Sequence, residues 1–390
     1  MTTRRIYLAS IIMIISMLVA CSDATPRPTQ PLAPTQVVVA PTIFSSQPTS
    51  TQANSQSSSS STIEPTPKQP ATPQPTATPE PTVLYVQMTN GGCCVQPYFA
   101  PDGTRVLYID KPDAASPTGV WSVRIDAPQK PELYREELGP YSRDLSMRIF
   151  LEGGRTTVER VSDKQRWTIP NQGRIASFSP DSRLLAWSVS EEIGGFDRRK
   201  TDIYIANFDG SDARKVATRY GGGSLGWFGD SQRLLLGGRP NRADDKPTLS
   251  ILNLADGSAR DLISMERLRG ASLSPDGKRL IYFVAQAVED GLGGVYLLNL
   301  DTTQAKRLDF FGAYRWRDSN RLFYIPLKQN APSNELWQLD ATTLLSERLI
   351  GESPDSLFKI ANGDWDISPD GSMIVYLNAR DRNVWLAKLR

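Results

Sequence analysis

Seven aspartates, Asp102, Asp144, Asp181, Asp230, Asp276, Asp318 and Asp370, follow one another along the chain. Their intervals scatter around roughly 45 residues, the period of one four-stranded propeller blade. The fullest unit runs from Gly270 to Leu308. It holds the turn Ser274-Pro275-Asp276-Gly277, with strand-like runs at Ile281 to Val284, Val295 to Leu300 and Ala305 to Leu308. Proline presets one turn residue, while Asp and Gly accept backbone angles that most residues resist. A chain punctuated this often has no room for long helices and must bury short strands against its own repeats.

The turn recurs as Ala100-Pro101-Asp102-Gly103, Ser179-Pro180-Asp181-Ser182, Phe228-Gly229-Asp230-Ser231 and Ser368-Pro369-Asp370-Gly371. Two copies are worn: Trp316-Arg317-Asp318-Ser319 is one residue short, and Tyr141-Ser142-Arg143-Asp144 lacks both Pro and Gly. A second signature keeps the same phase, in Val120 to Asp126, Ile203 to Asp209, Val295 to Asp301 and Val384 to Leu389. Short β-branched and aromatic runs bounded by Asp-Gly turns are strand signals. The last unit lacks a fourth strand, and Val83 to Met88 is an orphan strand ahead of the first unit. The pattern predicts an all-β propeller of four-stranded blades, seven in number with six as the alternative. Its ring is closed by the N-terminal strand, which removes an exposed edge.

The head occupies residues 83–390, with residues 21–82 as a Pro-, Ser- and Thr-rich linker and 1–20 as a signal peptide. Arg4 and Arg5 precede the apolar run Ile6 to Ala20, which is short for a membrane span, and Cys21 follows. Leu18-Val19-Ala20-Cys21 resembles a bacterial lipobox, which implies diacylation of Cys21 and anchoring on the extracytoplasmic side of a membrane. The other reading is an ordinary signal peptide or uncleaved anchor in which the cysteine is incidental. The linker cannot bury enough apolar surface to offset ordering and is expected to be an extended stalk.

The turn and strand signatures together resemble the WD-like repeats of the TolB-type propeller family, over essentially all of the head. That family includes envelope proteins that bind protein partners or wall components, so the resemblance implies a binding or scaffolding role. An envelope enzyme using carboxylates at the propeller mouth is the alternative. The chain carries no histidine, which removes the usual general base and the commonest metal ligand. No catalytic residue, metal or cofactor is assigned. A formal charge of +2 gives no argument for nucleic acid, and the head is expected to be monomeric.

Gly222-Gly223-Ser224-Leu225-Gly226 matches the Gly-x-Ser-x-Gly elbow, but with no histidine it is read as a loop between blades. The repeated aspartates are explained by turn chemistry. Cys93 and Cys94 are adjacent, which leaves a strained vicinal disulfide, a pair of free thiols or part of a redox or metal site open.

Connections in an antiparallel blade alternate between two faces. Uniform Asp-containing turns fall on one. The other carries long, dissimilar connections such as Lys111 to Gly119, Ser190 to Thr201, Arg239 to Pro247, Gln286 to Gly294 and Lys328 to Asn334, with Gly91 to Cys94 and Tyr220 to Gly223 between blades. Variable loops on a rigid frame are where binding resides. Arg198, Arg199, Lys200, Arg239 and Arg242 are therefore the candidate contacts for a protein or an anionic envelope polymer.

Overall fold

Turn chemistry sets the architecture. A computed structural model describes residues 83–92, 94–191, 195–285 and 291–389. In the turn at Ser274, its Oγ donates to Asp276 Oδ1 at 2.6 Å and accepts from Arg279 N at 2.9 Å, while Lys278 N donates to Asp276 Oδ1 at 3.1 Å. The same serine–aspartate pairing forms at Ser142/Asp144, Ser179/Asp181 and Ser368/Asp370. The residue after the aspartate is left-handed in each, with φ of 66° at Gly277, 71° at Gly371, 63° at Ser182 and 60° at Leu145. The worn copy at Asp144 thus makes the full turn without Pro or Gly, because Ser142 is present. The copy that is one residue short makes a tighter turn, in which Arg317 N and Asp318 N both donate to Arg321 O.

The strands between these turns begin with β1 (Leu84–Gln87). β2 (Val95–Phe99), β3 (Arg105–Asp110), β4 (Gly119–Arg124) and β5 (Ala127–Arg135) form a four-stranded antiparallel sheet. β6 (Met147–Glu152), β7 (Arg155–Arg160) and β8 (Arg166–Ile169) form a three-stranded one, to which Tyr141 adds a single bridge at Arg148. β9 (Ala176–Phe178), β10 (Leu184–Ser190), β11 (Lys200–Asn207), β12 (Arg214–Trp227), β13 (Arg233–Arg239), β14 (Thr248–Asn253) and β15 (Ala259–Ser264) run on as one sheet. β16 (Leu268–Leu273), β17 (Arg279–Val284), β18 (Gly294–Asn299) and β19 (Ala305–Arg307) make the next. β20 (Gly312–Trp316), β21 (Arg321–Pro326), β22 (Leu336–Asp340) and β23 (Ser346–Ile350) follow. β24 (Ile360–Ile367), β25 (Met373–Asn378) and β26 (Val384–Lys388) take β1 as their fourth strand, with Leu84 opposite Lys388 and Gln87 opposite Trp385. The arrangement is an all-β propeller.

The sheet count departs from expectation. Five sheets are of blade size, four with four strands and one with three, while the sixth has seven strands. The hydrogen bonding therefore does not give seven, or six, separate four-stranded blades. The cause is β12, which is 14 residues long and contains Tyr220 to Gly223, the segment expected as a loop. Its pairing skips between Tyr220 and Gly223, as at a β-bulge. Glycine makes this possible. A Cβ at Gly221 would stand 2.2 Å from Asp197 O, and one at Gly222 2.0 Å from Gly237 O. Ser224 lies within this strand and no helix follows it, so the elbow match has neither its turn nor its base.

Middle strands read as continuous apolar runs because both of their faces are covered. Leu234, Leu235 and Leu236 are buried, as are Leu280, Ile281 and Tyr282, and Ile374 to Leu377. Each such side chain contributes about 1.5–3 kcal/mol on burial. The first and last sheets share one core cluster, in which Val106, Tyr108 and Val123 pack with Val375, Leu377 and Leu386.

Candidate binding face

The two faces of the propeller are built differently. On the face carrying the aspartate turns, neighbouring turns pack on one another. A Cβ at Gly103 would lie 3.6 Å from Pro369 Cδ, and Arg279 Nη1 donates to Ser319 O at 3.0 Å. This is a scaffold layer of repeated contacts.

On the opposite face, two long connections are tied together. Arg198 Nη1 donates to Arg242 O at 2.6 Å and to Asp244 O at 3.0 Å. Arg239 Nη1 donates to Asp197 O at 2.6 Å, and its Nε and Nη2 to Asp245 O at 3.2 and 3.0 Å. Arg199 O accepts from Gly221 N at 2.9 Å, pinning the same loop onto β12. The structure thus brings Arg198, Arg239 and Arg242 together, with Arg199 and Lys200 continuing the loop into β11. Arg198 and Arg239 direct donors at backbone carbonyls and brace the loops. Arg242 is more outward, with a side chain 66% exposed, 3.5 Å from Glu191 and over the Tyr220 ring. Lys200 lies 3.3 Å from Asp202, whose carboxylate holds the ammonium pKa above its ordinary range.

The braced loop crosses to the neighbouring sheet, where Asp197 Oδ1 lies 4.0 Å from Arg269 Nη2 of β16. Five exposed apolar side chains share this face: Leu151, Ile175, Leu292, Phe311 and Leu327. Each sits at the end of a second strand, in a second-to-third connection or in a link between sheets. Only Leu84 and Leu345 of the exposed large apolar residues lie at the turn face.

Cys94 is buried in the link between β1 and β2, its Sγ 3.5 Å from Asp110 Oδ2 and 3.8 Å from Thr89 Oγ1. Cys21 and Cys93 lie outside the described residues.

A further set escaped the sequence reading. Asp364 and Asp366 stand on β24 at either side of Trp365, and each carboxylate accepts from the backbone of β2. Asp364 Oδ2 takes Gln96 N at 3.5 Å, and Asp366 Oδ2 takes Phe99 N at 3.3 Å. Burial raises the pKa of both, offset only partly by these bonds and by Arg315. Arg315, on β20, lies over the Trp365 ring at 5.1 Å. Tyr98 is close by in sequence on β2, and burial pushes its phenol up to about 12. The available signal was Asp-Trp-Asp in an inner strand, where acidic residues interrupt an otherwise apolar repeat.

No protein-family model and no curated protein matches this sequence. Among solved structures the chain is similar to an oligogalacturonate lyase in complex with manganese. The TM-score is 0.55 at 12% identity, covering 80% of this chain and 98% of that one. An oligogalacturonate lyase from Vibrio parahaemolyticus gives 0.54 at 11% identity, with the same 80% and 98% coverage. TolB from Acinetobacter baumannii gives 0.40 at 14% identity, over 70% of this chain and 76% of that one. At these identities the likeness is one of fold. Manganese finds no counterpart set: the chain lacks histidine, and no group of three or more His, Cys, Asp or Glu among the described residues is placed to hold a metal ion.

Proposed function

We propose that the chain is a binding module of the cell envelope. In this reading Cys21 carries the lipid that holds it on the extracytoplasmic side, and the loop-bearing face takes a protein or an envelope polymer. The observation that carries it is the unequal construction of the two faces. Repeated turns pack on one, while cross-braced loops and five exposed apolar side chains lie on the other. A rigid frame with dissimilar loops at one end is the usual build of a recognition surface.

The head is read as a closed ring of seven blades. In support, the halves of β12 pair with β11 on one side and β13 on the other, so one strand serves two adjoining blades. The pairing of β1 with β26 and the core shared by first and last sheets support closure. A photo-cross-linking amino acid placed at Arg242 or Lys328 tests the face in intact cells, with Lys278 and Ser372 as turn-face controls. Adducts from the first pair alone are expected. Adducts mainly from the second pair would move the site to the turn face.

A second reading is favoured by Asp364, Asp366 and Arg315, and by the lyase fold neighbours. Here the propeller mouth is an envelope enzyme site acting on acidic saccharide. Shortening of oligogalacturonate by the wild type, lost in Asp366→Asn, would select this reading over the binding module.

A further inference from the structure

Arg269 is the point where charge and exposed apolar surface meet. It stands on β16 opposite Phe283 of β17. The Phe283 ring lies 5.6 Å from that of Phe311, and Phe311 O accepts from Leu327 N at 2.7 Å. Phe311 is 54% exposed and Leu327 67%. Arg269 thus lies across the strand pair from Phe283, beside a strip of apolar residues, Phe283, Phe311 and Leu327, drawn from two sheets of the loop-bearing face.

The acid facing that guanidinium is poorly placed for a strong ion pair. Asp197 Oδ1 is 4.0 Å away, and the side chains are 37% exposed for Arg269 and 62% for Asp197. Exposed pairs of this kind contribute little to stability. Yet the backbone of Asp197 is held firmly, by Arg239 at its carbonyl and by the close passage of Gly221. Arg269 Nη1 donates to Leu268 O at 2.9 Å, so the loop holds the carboxylate near the remaining Nη2 edge of the guanidinium without a close ion pair.

We infer that this strip is a docking site for an extended segment of a partner protein in which a carboxylate adjoins apolar side chains, and that Asp197 stands in for that carboxylate until the partner arrives. The partner's acid takes Arg269, and its apolar neighbours cover Phe311 and Leu327. Charge complementarity selects an acidic segment, and the exposed phenylalanine and leucine select a protein over a sugar polymer. The inference rests on the loop-bearing face being the recognition face.

The test uses the full-length chain and short fluorescein-labelled peptides followed by fluorescence anisotropy. One peptide alternates glutamate and leucine, and two controls replace all the glutamates by lysine or all the leucines by serine. The glutamate–leucine peptide alone is expected to bind. Arg269→Ala and Phe311→Ser should each weaken it roughly tenfold, as for loss of a charge partner or an apolar anchor. Asp197→Asn should tighten it, because the stand-in acid is gone. A purely structural role for Asp197 predicts weakening or no change instead. All four chains should melt alike, since the altered side chains are substantially exposed. Absence of binding, equal binding of the serine control, or failure of Asp197→Asn to tighten binding each overturns the inference. So does tri-galacturonate binding that depends on Arg269 but not on Phe311, which would make the ligand a saccharide. Cross-links confined to the loop face with unchanged yield in Arg269→Ala would leave the recognition face standing and remove this site alone.

Discussion

At the scale of single residues, the turn serine matters as much as the aspartate that advertises it. Ser142 rescues a turn that has lost both Pro and Gly, and its Oγ bonds are those of Ser274. The aspartates were legible because they recur. The serine was not singled out, because its role is a pair of short-range bonds that spacing does not reveal. Gly277 has both a left-handed φ of 66° and a Cβ position 3.0 Å from Phe228 Cδ1. Gly277→Ala should therefore lower stability by about 1–2 kcal/mol, read from urea denaturation. Asp366 tests a different kind of strain. Its folded pKa is raised by burial, so its favourable contribution is present below the unfolded pKa and is lost as pH rises through the folded value. Asp366→Asn should accordingly melt higher than the wild type at neutral pH. The gap should close as pH falls toward the ordinary carboxylate range. A constant gap at all pH values would show that burial of charge is not the cause.

Among the elements, β17, β18 and β19 lie within a residue or two of their sequence-derived positions, because each is a short apolar run between strong turn signals. The strand expected at Val83 to Met88 is β1, Leu84–Gln87. Its partner could be named from the sequence only because the last unit lacked a strand. β12 was misread. Three successive glycines signal a loop locally, and only the tertiary approach of Asp197 and Gly237 shows that the missing side chains keep the strand in the ladder. Removing residues 24–81 should leave the melting temperature of the head nearly unchanged. Extending the deletion through Met88 should lower it sharply, since Met88, fully buried, leaves the shared core and β26 becomes an open edge. Identical melting of the two truncations would mean that β1 is not integral to the last sheet.

For the whole molecule, the two-faced design was legible from connection lengths alone, and the candidate arginines followed from it. Their bonding was not legible. Arg198 and Arg239 reach carbonyls more than 40 residues away in sequence at Arg242, Asp244 and Asp197, and such contacts exist only once adjacent sheets have packed. The same holds for Arg269 and Phe311, which meet only through Phe283. Anchoring belongs to this scale too. A fatty-acid analogue fed to cells should label the wild-type chain and leave Cys21→Ser unlabelled, and equal labelling of both would remove the lipid from the proposal.

The pairing of β1 with β26 also fixes how the head responds to pulling. β1 enters at the turn face, where Leu84 lies beside Lys388, and runs toward the loop face at Gln87. Tension between residue 83 and anything gripping the loop face acts along β1, parallel to the strand and across its hydrogen bonds. The bonds to β26 are then loaded together in shear, whereas a strand peeled from its end would lose them one at a time. Pulled from its preceding segment while its loops are held, the head has a mechanical lock where its first and last strands meet.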